Sequence, residues 1–152
     1  MKLELKVNKN DINISEKMED VEKNIINLTT HELESLIVKK TPVDTGDLRS
    51  SWHHTIKAKE GKIYTSKNYA RYVEEGTGVH GPSEAPITPK KSTVLRFQPH
   101  NGNYADIISQ DGYVYIRQSQ GQKPAHMVKD SLEEIDSELP KIIAQAIQKA
   151  GG

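Results

Sequence analysis

The fold of this chain depends on residues 41–52, which read Thr-Pro-Val-Asp-Thr-Gly-Asp-Leu-Arg-Ser-Ser-Trp. Pro42 has no backbone N–H to donate, so a helix arriving from the N-terminal side is expected to end near Thr41. The triplet at 44–46 favours a turn, because Asp and Thr side chains bond their own backbone and glycine tolerates positive φ. The predicted structural turn comprises Pro42, Asp44, Thr45 and Gly46.

A long amphipathic helix is predicted before this turn. From Ile14 onward, apolar residues recur at spacings of three and four, which places them on one helix face. Asn13 suits the N-cap, and Glu16 is placed to reach back to it. The helix is therefore expected to run from Asn13 to about Lys40. Because its heptad pattern breaks, packing against a sheet is favoured over a coiled coil. Residues 1–13 are expected to be a flexible lead-in or an edge strand.

Antiparallel strands are predicted after the turn. Alternating or short apolar runs mark them at residues 52–58, 63–65, 94–97 and 113–117. A turn with Gly61 at positive φ is expected to join the first two. A short helix that ends at Gly76 carries Tyr69 and Tyr72 three residues apart, a spacing suited to an interface or to packing on the sheet. Gly- and Pro-rich or polar composition predicts long loops at 76–92 and 98–112.

A second long helix is predicted from residue 125 to residue 150. Pro140 lies within it, so we expect a kink or a restart there, with Ser137 as a candidate N-cap. Helix, antiparallel sheet with long loops, and helix together give the α+β class. The length of 152 residues favours one domain covering 1–152.

Composition narrows the functional classes. Only 34% of residues are apolar and 5% aromatic, which suggests a thin core supported by neighbouring subunits. The absence of cysteine excludes disulfides and thiolate metal sites. No apolar run approaches the roughly 20 residues of a membrane helix. The N-terminus lacks the apolar centre of a signal peptide. We therefore expect neither a membrane span nor secretion.

Charge is balanced overall but unevenly distributed. Residues 49–99 carry nine Lys or Arg against four acidic residues, and the flanks are acidic by the same surplus of five. A basic central region leaves open a nucleic-acid-binding module that uses this surface. However, no basic cluster is interleaved with stacking aromatics. This favours a solvated surface whose charges meet acidic helices or acidic neighbours.

Two motifs resemble catalytic or cofactor signatures. Residues 44–46 match the aspartic-protease triplet, but that triplet requires an apolar strand context and a second carboxylate. A hydrolase built on Asp44 is therefore the weakest of the hypotheses. Residues 76–81 fit G-x-G-x-x-G, yet the dinucleotide-binding mechanism needs a strand before and a helix after the motif. Here a predicted helix precedes and Pro82 follows, so a mobile loop is expected.

The six histidines show no obvious metal-ligand pattern. His53 and His54 are adjacent, so on a strand they point to opposite faces. His31 and the others lack ligand spacing with nearby carboxylates. We therefore predict no metal site, no cofactor and no catalytic residue.

Four motifs occur in an order typical of one family. They are residues 41–52, Asn68–Gly78, Pro86–Lys91 followed by Val94–Phe97, and Gly121–Pro124. In this order they resemble the tail-component family of long-tailed bacteriophages and prophages, from about Thr29 to Leu132. The chain departs from the family at 125–127, where Ala-His-Met replaces an aromatic–aliphatic pair.

The resemblance implies a structural, non-enzymatic virion protein of the tail-completion or neck type, which joins the tail to the head. It implies a ring oligomer, with a hexamer as one candidate size, docked on the tail tube or connector. It implies other neck and tail proteins as partners, and no membrane, small-molecule substrate or specific nucleic acid. The location would be the virion and, during assembly, the host bacterial cytoplasm. The candidate interaction residues are Arg49, Tyr69, Arg71, Tyr72, Glu74, Lys90 and Lys91.

Overall fold

The computed structural model describes residues 9–57, 59–99 and 107–151, with side chains from Glu16 onward. Its helices and strands are α1 (Lys9–Lys40), β1 (Trp52–Lys57), β2 (Glu60–Thr65), α2 (Ala70–Glu75), β3 (Leu95–Phe97), β4 (Val114–Ile116) and α3 (Met127–Gly151). The predicted α+β class and both long helices are confirmed. The single sheet is wrong, because β1 pairs with β2 and β3 with β4 in two separate antiparallel sheets. Periodicity marks strands but does not identify their partners, which tertiary packing selects.

The chain divides into two compact units. The first contains the residues up to Asn68 together with α3, and the second is Tyr69–His126. The prediction of one domain covering residues 1–152 stays a prediction.

The N-terminal boundary of α1 differs from the prediction. The helix begins at Lys9, so Asn13 lies inside it and is not its N-cap. Polar residues lose only tenths of a kcal/mol of helix propensity, so a polar segment does not by itself delay a helix start. The expected lead-in or edge strand is therefore wrong for residues 9–13, and residues 1–8 lie outside the described residues. The predicted end at Lys40 is confirmed.

The core of the first unit lies between α1 and α3. Leu36, Ile135 and Ile142 form a buried cluster, and the partly buried Leu28 and Leu33 pack against it. α1 also contacts the β1–β2 hairpin, so the expected packing against a sheet describes only part of its surroundings. Both helices therefore bury their apolar faces mainly on each other.

The junction between the end of α1 and the start of α3 is polar as well as apolar. Met127 is fully buried, and its sulfur lies 3.4 Å from the Thr41 hydroxyl. Nearby, Lys40 and Glu134 form an ion pair of 2.7 Å. This hydrogen bond raises the pKa of Lys40 and lowers that of Glu134. These contacts join two segments that are far apart in sequence.

Helix α3 continues through Pro140. The Ser137 hydroxyl donates to the Glu134 carbonyl at 2.7 Å, so Ser137 does not cap a new helix and the predicted restart is wrong. Pro140 removes only one backbone donor, and burial of Ile142 and Ala146 supports the turns that follow. The kink stays a prediction.

The β1–β2 hairpin packs on α1 in a fixed register, from Trp52 opposite Thr65 to Lys57 opposite Glu60. Gly61 lies inside β2, opposite Ile56, and its φ is not positive. The turn predicted at residues 59–62 is therefore wrong, because the return strand begins at Glu60. Gly61 serves a different purpose: a Cβ there would lie 1.9 Å from the Thr30 hydroxyl oxygen.

The second unit holds the predicted glycine-rich loop in defined hydrogen bonds. Backbone N–H groups of Thr77 and Val79 donate to the carbonyls of Gln122 (2.8 Å) and Gln120 (2.9 Å). Ile87 and Ser119 exchange two backbone bonds of 2.8 and 2.9 Å. Residues 76–81 form one layer of a close backbone crossing. The mobility of this loop stays a prediction.

The second predicted loop, 98–112, is described only in part, since residues 100–106 lie outside the described residues. At its end the Ser109 N–H donates to the Tyr113 carbonyl at 2.9 Å. Ile108 bridges to Val114, the buried residue of β4. The end of this loop is therefore a tight turn that leads directly into the second sheet.

Candidate functional site

The turn after α1 is built by backbone and side-chain bonds around residues 44–50. Gly46 has a φ of 86°, and its carbonyl accepts from the Ser50 N–H at 3.0 Å. The Thr45 hydroxyl accepts from the Asp47 N–H at 3.4 Å. The exposed Asp44 carboxylate accepts no hydrogen bond from the part of the chain that the structure describes. This exposed loop lacks the apolar strand setting that an aspartic-protease triplet requires.

Arg49 stabilises the end of α1 from this turn. Its Nε and Nη2 donate to the Thr41 carbonyl at 3.2 and 2.8 Å, and Nη2 also lies 3.4 Å from the Lys39 carbonyl. The last carbonyls of a helix lack intrahelical partners and carry partial negative charge, so a guanidinium is well suited to this position. Arg49, a candidate interaction residue, thus has a structural contact within its own chain.

We expect Arg49→Ala to lower the free energy of unfolding by about 1–2 kcal/mol, because two carbonyls lose a charged donor. Asp44→Asn, in the same turn, should change it by less than about 0.5 kcal/mol, since the carboxylate has no hydrogen-bond partner among the residues that the structure describes. Urea unfolding followed by circular dichroism measures both. A loss for Asp44→Asn as large as that for Arg49→Ala would contradict this division of roles.

Four of the candidate interaction residues lie on or beside α2. Tyr69 is 43% exposed and Tyr72 61% exposed. Arg71 bonds the Glu75 carboxylate through Nε at 2.9 and 3.1 Å. The Glu74 carbonyl accepts from the His126 N–H at 3.3 Å. The short helix therefore presents two largely exposed aromatic side chains beside an ion pair, a composition typical of protein interfaces.

Lys90 and Lys91 are exposed in the loop that precedes β3. By contrast, three lysines in or beside the hairpin have acidic partners. Lys59 pairs with Glu22 at 2.8 Å, a bond that raises the pKa of Lys59. Lys62 and Lys67 lie 3.3 and 3.9 Å from acidic side chains of their own unit. Much of the basic surplus of the central region therefore meets acidic residues of the same chain.

An apolar groove lies beside the hairpin in the first unit, with a volume of about 520 Å³. Its walls come from α1, from Trp52 and Ile63 of the hairpin, and from Val128 of α3. The Thr29 hydroxyl also lines it and is buried without a hydrogen-bond partner among the described residues.

No helix of the described residues has an apolar stretch long enough to cross a bilayer.

Sequence reasoning missed a cluster formed by His31, Glu34 and His54. The His54 Nδ1 lies 2.7 Å from the Glu34 Oε2, and the two imidazole centroids are 4.4 Å apart in an edge-to-face arrangement. The expectation that His31 has no ligand spacing with a nearby carboxylate is therefore wrong, since Glu34 belongs to the same cluster. The signal was present in part, because residues 31 and 34 are one helical turn apart. His53 lies on the opposite, exposed face of the strand, as predicted. Its ring centroid is 6.1 Å from that of Tyr64.

Residues 8–76 match the family model described as "Bacteriophage HK97-gp10, putative tail-component". The matched segment spans α1, the turn, the β1–β2 hairpin and α2. It contains the first of the four motifs in full and most of the second, and ends before the other two. No curated protein and no solved structure matches the chain. The resemblance predicted from the sequence is thus confirmed over residues 8–76, where the chain is similar to the bacteriophage tail-component family.

Proposed function

We propose that this chain is a structural tail component of a bacteriophage virion that completes the tail and joins it to the head at the neck. The observation that carries the proposal is the family match over residues 8–76. In this role the protein is a non-enzymatic ring subunit that docks on the tail tube or connector. It assembles in the host bacterial cytoplasm and acts in the virion. The fold then serves to hold docking surfaces in place.

Charge distribution supports contacts between copies of the chain. The first half of α3 carries five acidic residues against the single Lys129; they are Asp130, Glu133, Glu134, Asp136 and Glu138. The hairpin and its surroundings are basic, with Lys57 exposed on β1. Opposite charges on different surfaces of one chain suit a head-to-tail contact, and such contacts form a ring when the rotation between copies closes. We therefore assign the ring contact to the hairpin of one copy and α3 of the next.

The exposed tyrosines of α2 support a second contact, with another tail protein. Tyr69 and Tyr72 offer large aromatic area and hydroxyl groups at low cost in side-chain entropy. Lys90 and Lys91, exposed in a loop of the same unit, are candidates for the rim of this contact. Nucleic-acid binding through the central basic region is the weaker alternative, since Lys59, Lys62 and Lys67 lie close to carboxylates.

The ring is tested by light scattering on the protein alone and with the tail-tube protein of the same phage. We expect a ring-sized species in the mixture that weakens as salt rises, because its contacts are charged. Glu133→Lys/Asp136→Lys, both exposed on α3, should reduce assembly at least about tenfold. The control Glu16→Lys/Glu84→Lys makes the same change in net charge at other exposed positions and should assemble normally.

Two results would count against the proposal. Equal loss of assembly in the control would mean that net charge, and not the α3 surface, governs association. A sub-micromolar, sequence-selective complex with a labelled DNA or RNA duplex at about 0.15 M salt would favour the nucleic-acid-binding alternative. Fluorescence anisotropy measures that affinity directly.

A further inference from the structure

We propose that His31, Glu34 and His54 form a binding site for a divalent transition-metal ion, with zinc as the expected metal. Each residue offers one ligand atom, and these three atoms all lie within 4.8 Å of one another. The site is independent of the tail-component role and would fasten the β1–β2 hairpin to α1.

The three side chains are held by rigid elements. His31 and Glu34 are one turn apart on α1, so both project from the same helix face. His54 lies on β1, on the half-buried side of the strand that alternates with exposed residues. α1 and β1 pack directly on each other. Ligands on packed helices and strands are positioned more accurately than ligands on loops.

The donor set selects the class of metal. Two imidazole nitrogens and one carboxylate oxygen suit zinc and its transition-metal neighbours, whereas Mg²⁺ and Ca²⁺ prefer oxygen ligands throughout. Three protein ligands leave a fourth tetrahedral position for water. Glu34 and His54 are partly accessible, with side-chain exposures of 22% and 27%, and His31 is exposed. A metal ion can therefore reach the cluster from solvent.

The distances are close to those that a metal requires. Zinc–ligand bonds of about 2.0–2.2 Å in a tetrahedron place ligand atoms roughly 3.3–3.5 Å apart. The Glu34–His54 separation of 2.7 Å must therefore widen slightly when a metal replaces their shared proton. The longer separations, up to 4.8 Å, must shorten by up to about 1.5 Å. Because His31 is exposed, its side-chain torsions can supply that movement.

The competing interpretation is a simple hydrogen bond between His54 and Glu34, with His31 packed on its edge. That arrangement would stabilise the hairpin on α1 without any metal. The two interpretations differ in what His31 does, because its loss removes a metal ligand but leaves the His54–Glu34 bond in place. His31→Ala is therefore the decisive variant. Because His31 is exposed, this variant should remain folded.

The test is titration of the untagged protein with Zn²⁺ by calorimetry and with Co²⁺ by visible absorption. We expect one site with a Kd below about 10 µM and the absorption of four-coordinate cobalt. Zinc at about 100 times Kd should raise Tm by roughly 5–10 °C. His31→Ala and Glu34→Gln should each weaken binding at least tenfold and remove most of this rise. The matched control is His53→Ala, the adjacent histidine on the opposite face, which should bind as the wild type does.

Three outcomes would overturn the proposal. They are no Zn²⁺ binding at about 100 µM metal, undiminished binding by His31→Ala, and a loss in His53→Ala equal to that in His31→Ala. Circular dichroism of each variant shows whether it is folded. Should Glu34→Gln unfold, His31→Ala with its control still decides the question.

Discussion

Gly78→Ala is expected to destabilise the second unit by about 2–5 kcal/mol. Gly78 has a φ of 64°, where an L side chain is strained by about 1–2 kcal/mol. A Cβ at this position would also lie 2.2 Å from the Gln120 carbonyl oxygen and 2.9 Å from the Gly121 Cα. These are backbone atoms, so the crossing between residues 76–81 and 119–122 must separate, which adds overpacking strain of about 1–3 kcal/mol.

The control for this substitution is Gly112→Ala. Gly112 has a similar φ of 79°, but a Cβ there meets no atom of the described residues within 4 Å. It should therefore show only the strain of positive φ, about 1–2 kcal/mol. Urea unfolding gives the free energies, and amide exchange of Val79, which donates to Gln120, reports on the crossing itself. Equal losses for the two variants would mean that the close approach at Gly78 has no energetic role.

This crossing shows why local sequence could predict a loop but not its backbone partner. Dense Gly and Pro with no apolar period are typical of mobile segments. The same composition is required where two backbones touch, because any Cβ would hold them apart. The two interpretations are distinguished only by the partner segment 119–122, about 40 residues away, and local patterns contain no information about it.

The helices, unlike this crossing, were predictable from local sequence. The apolar stripe of α1 and the stop at Pro42 are both local signals, and they gave the helix and its end correctly. Its start was missed because the residues near Asn13 are polar, and polarity hardly affects whether an exposed helix extends. On α3, Ile135 and Ile142 are buried, while Ile147 is 55% exposed.

The candidate sites also differ in whether local sequence could predict them. The turn at residues 42–46 could be placed from Pro and Gly alone. The histidine cluster could not, because its third member, His54, comes from a strand that only the packing of β1 on α1 brings close. Spacing within the helix indicated at most two ligands, which is too weak a signal for a metal site.

Gly61→Ala is expected to destabilise the first unit by about 1–3 kcal/mol, and Thr30→Ala is expected to rescue it. The new Cβ would lie 1.9 Å from the Thr30 hydroxyl oxygen and 3.1 Å from its Cβ, so β2 must move away from α1. Rotating Thr30 does not solve the clash, since its Cγ2 is already only 3.2 Å from the same point. Thr30 is buried, with a hydroxyl that donates to the Ile26 carbonyl at 2.7 Å.

A double-mutant cycle measures the contact. Thr30→Ala alone should lower the free energy of unfolding by about 1 kcal/mol or less, because the Ile26 carbonyl loses only a second, non-essential hydrogen-bond donor. In that background Gly61→Ala should be neutral or slightly stabilising, since alanine is favoured over glycine in a strand by about 0.5–1 kcal/mol. The interaction energy should thus reach about 1–3 kcal/mol. Thr29→Ala, at the neighbouring threonine of the same groove, is the control and should not rescue Gly61→Ala. Rescue by Thr29→Ala as complete as that by Thr30→Ala would show that general loosening of α1, and not this single contact, determines how closely the hairpin packs.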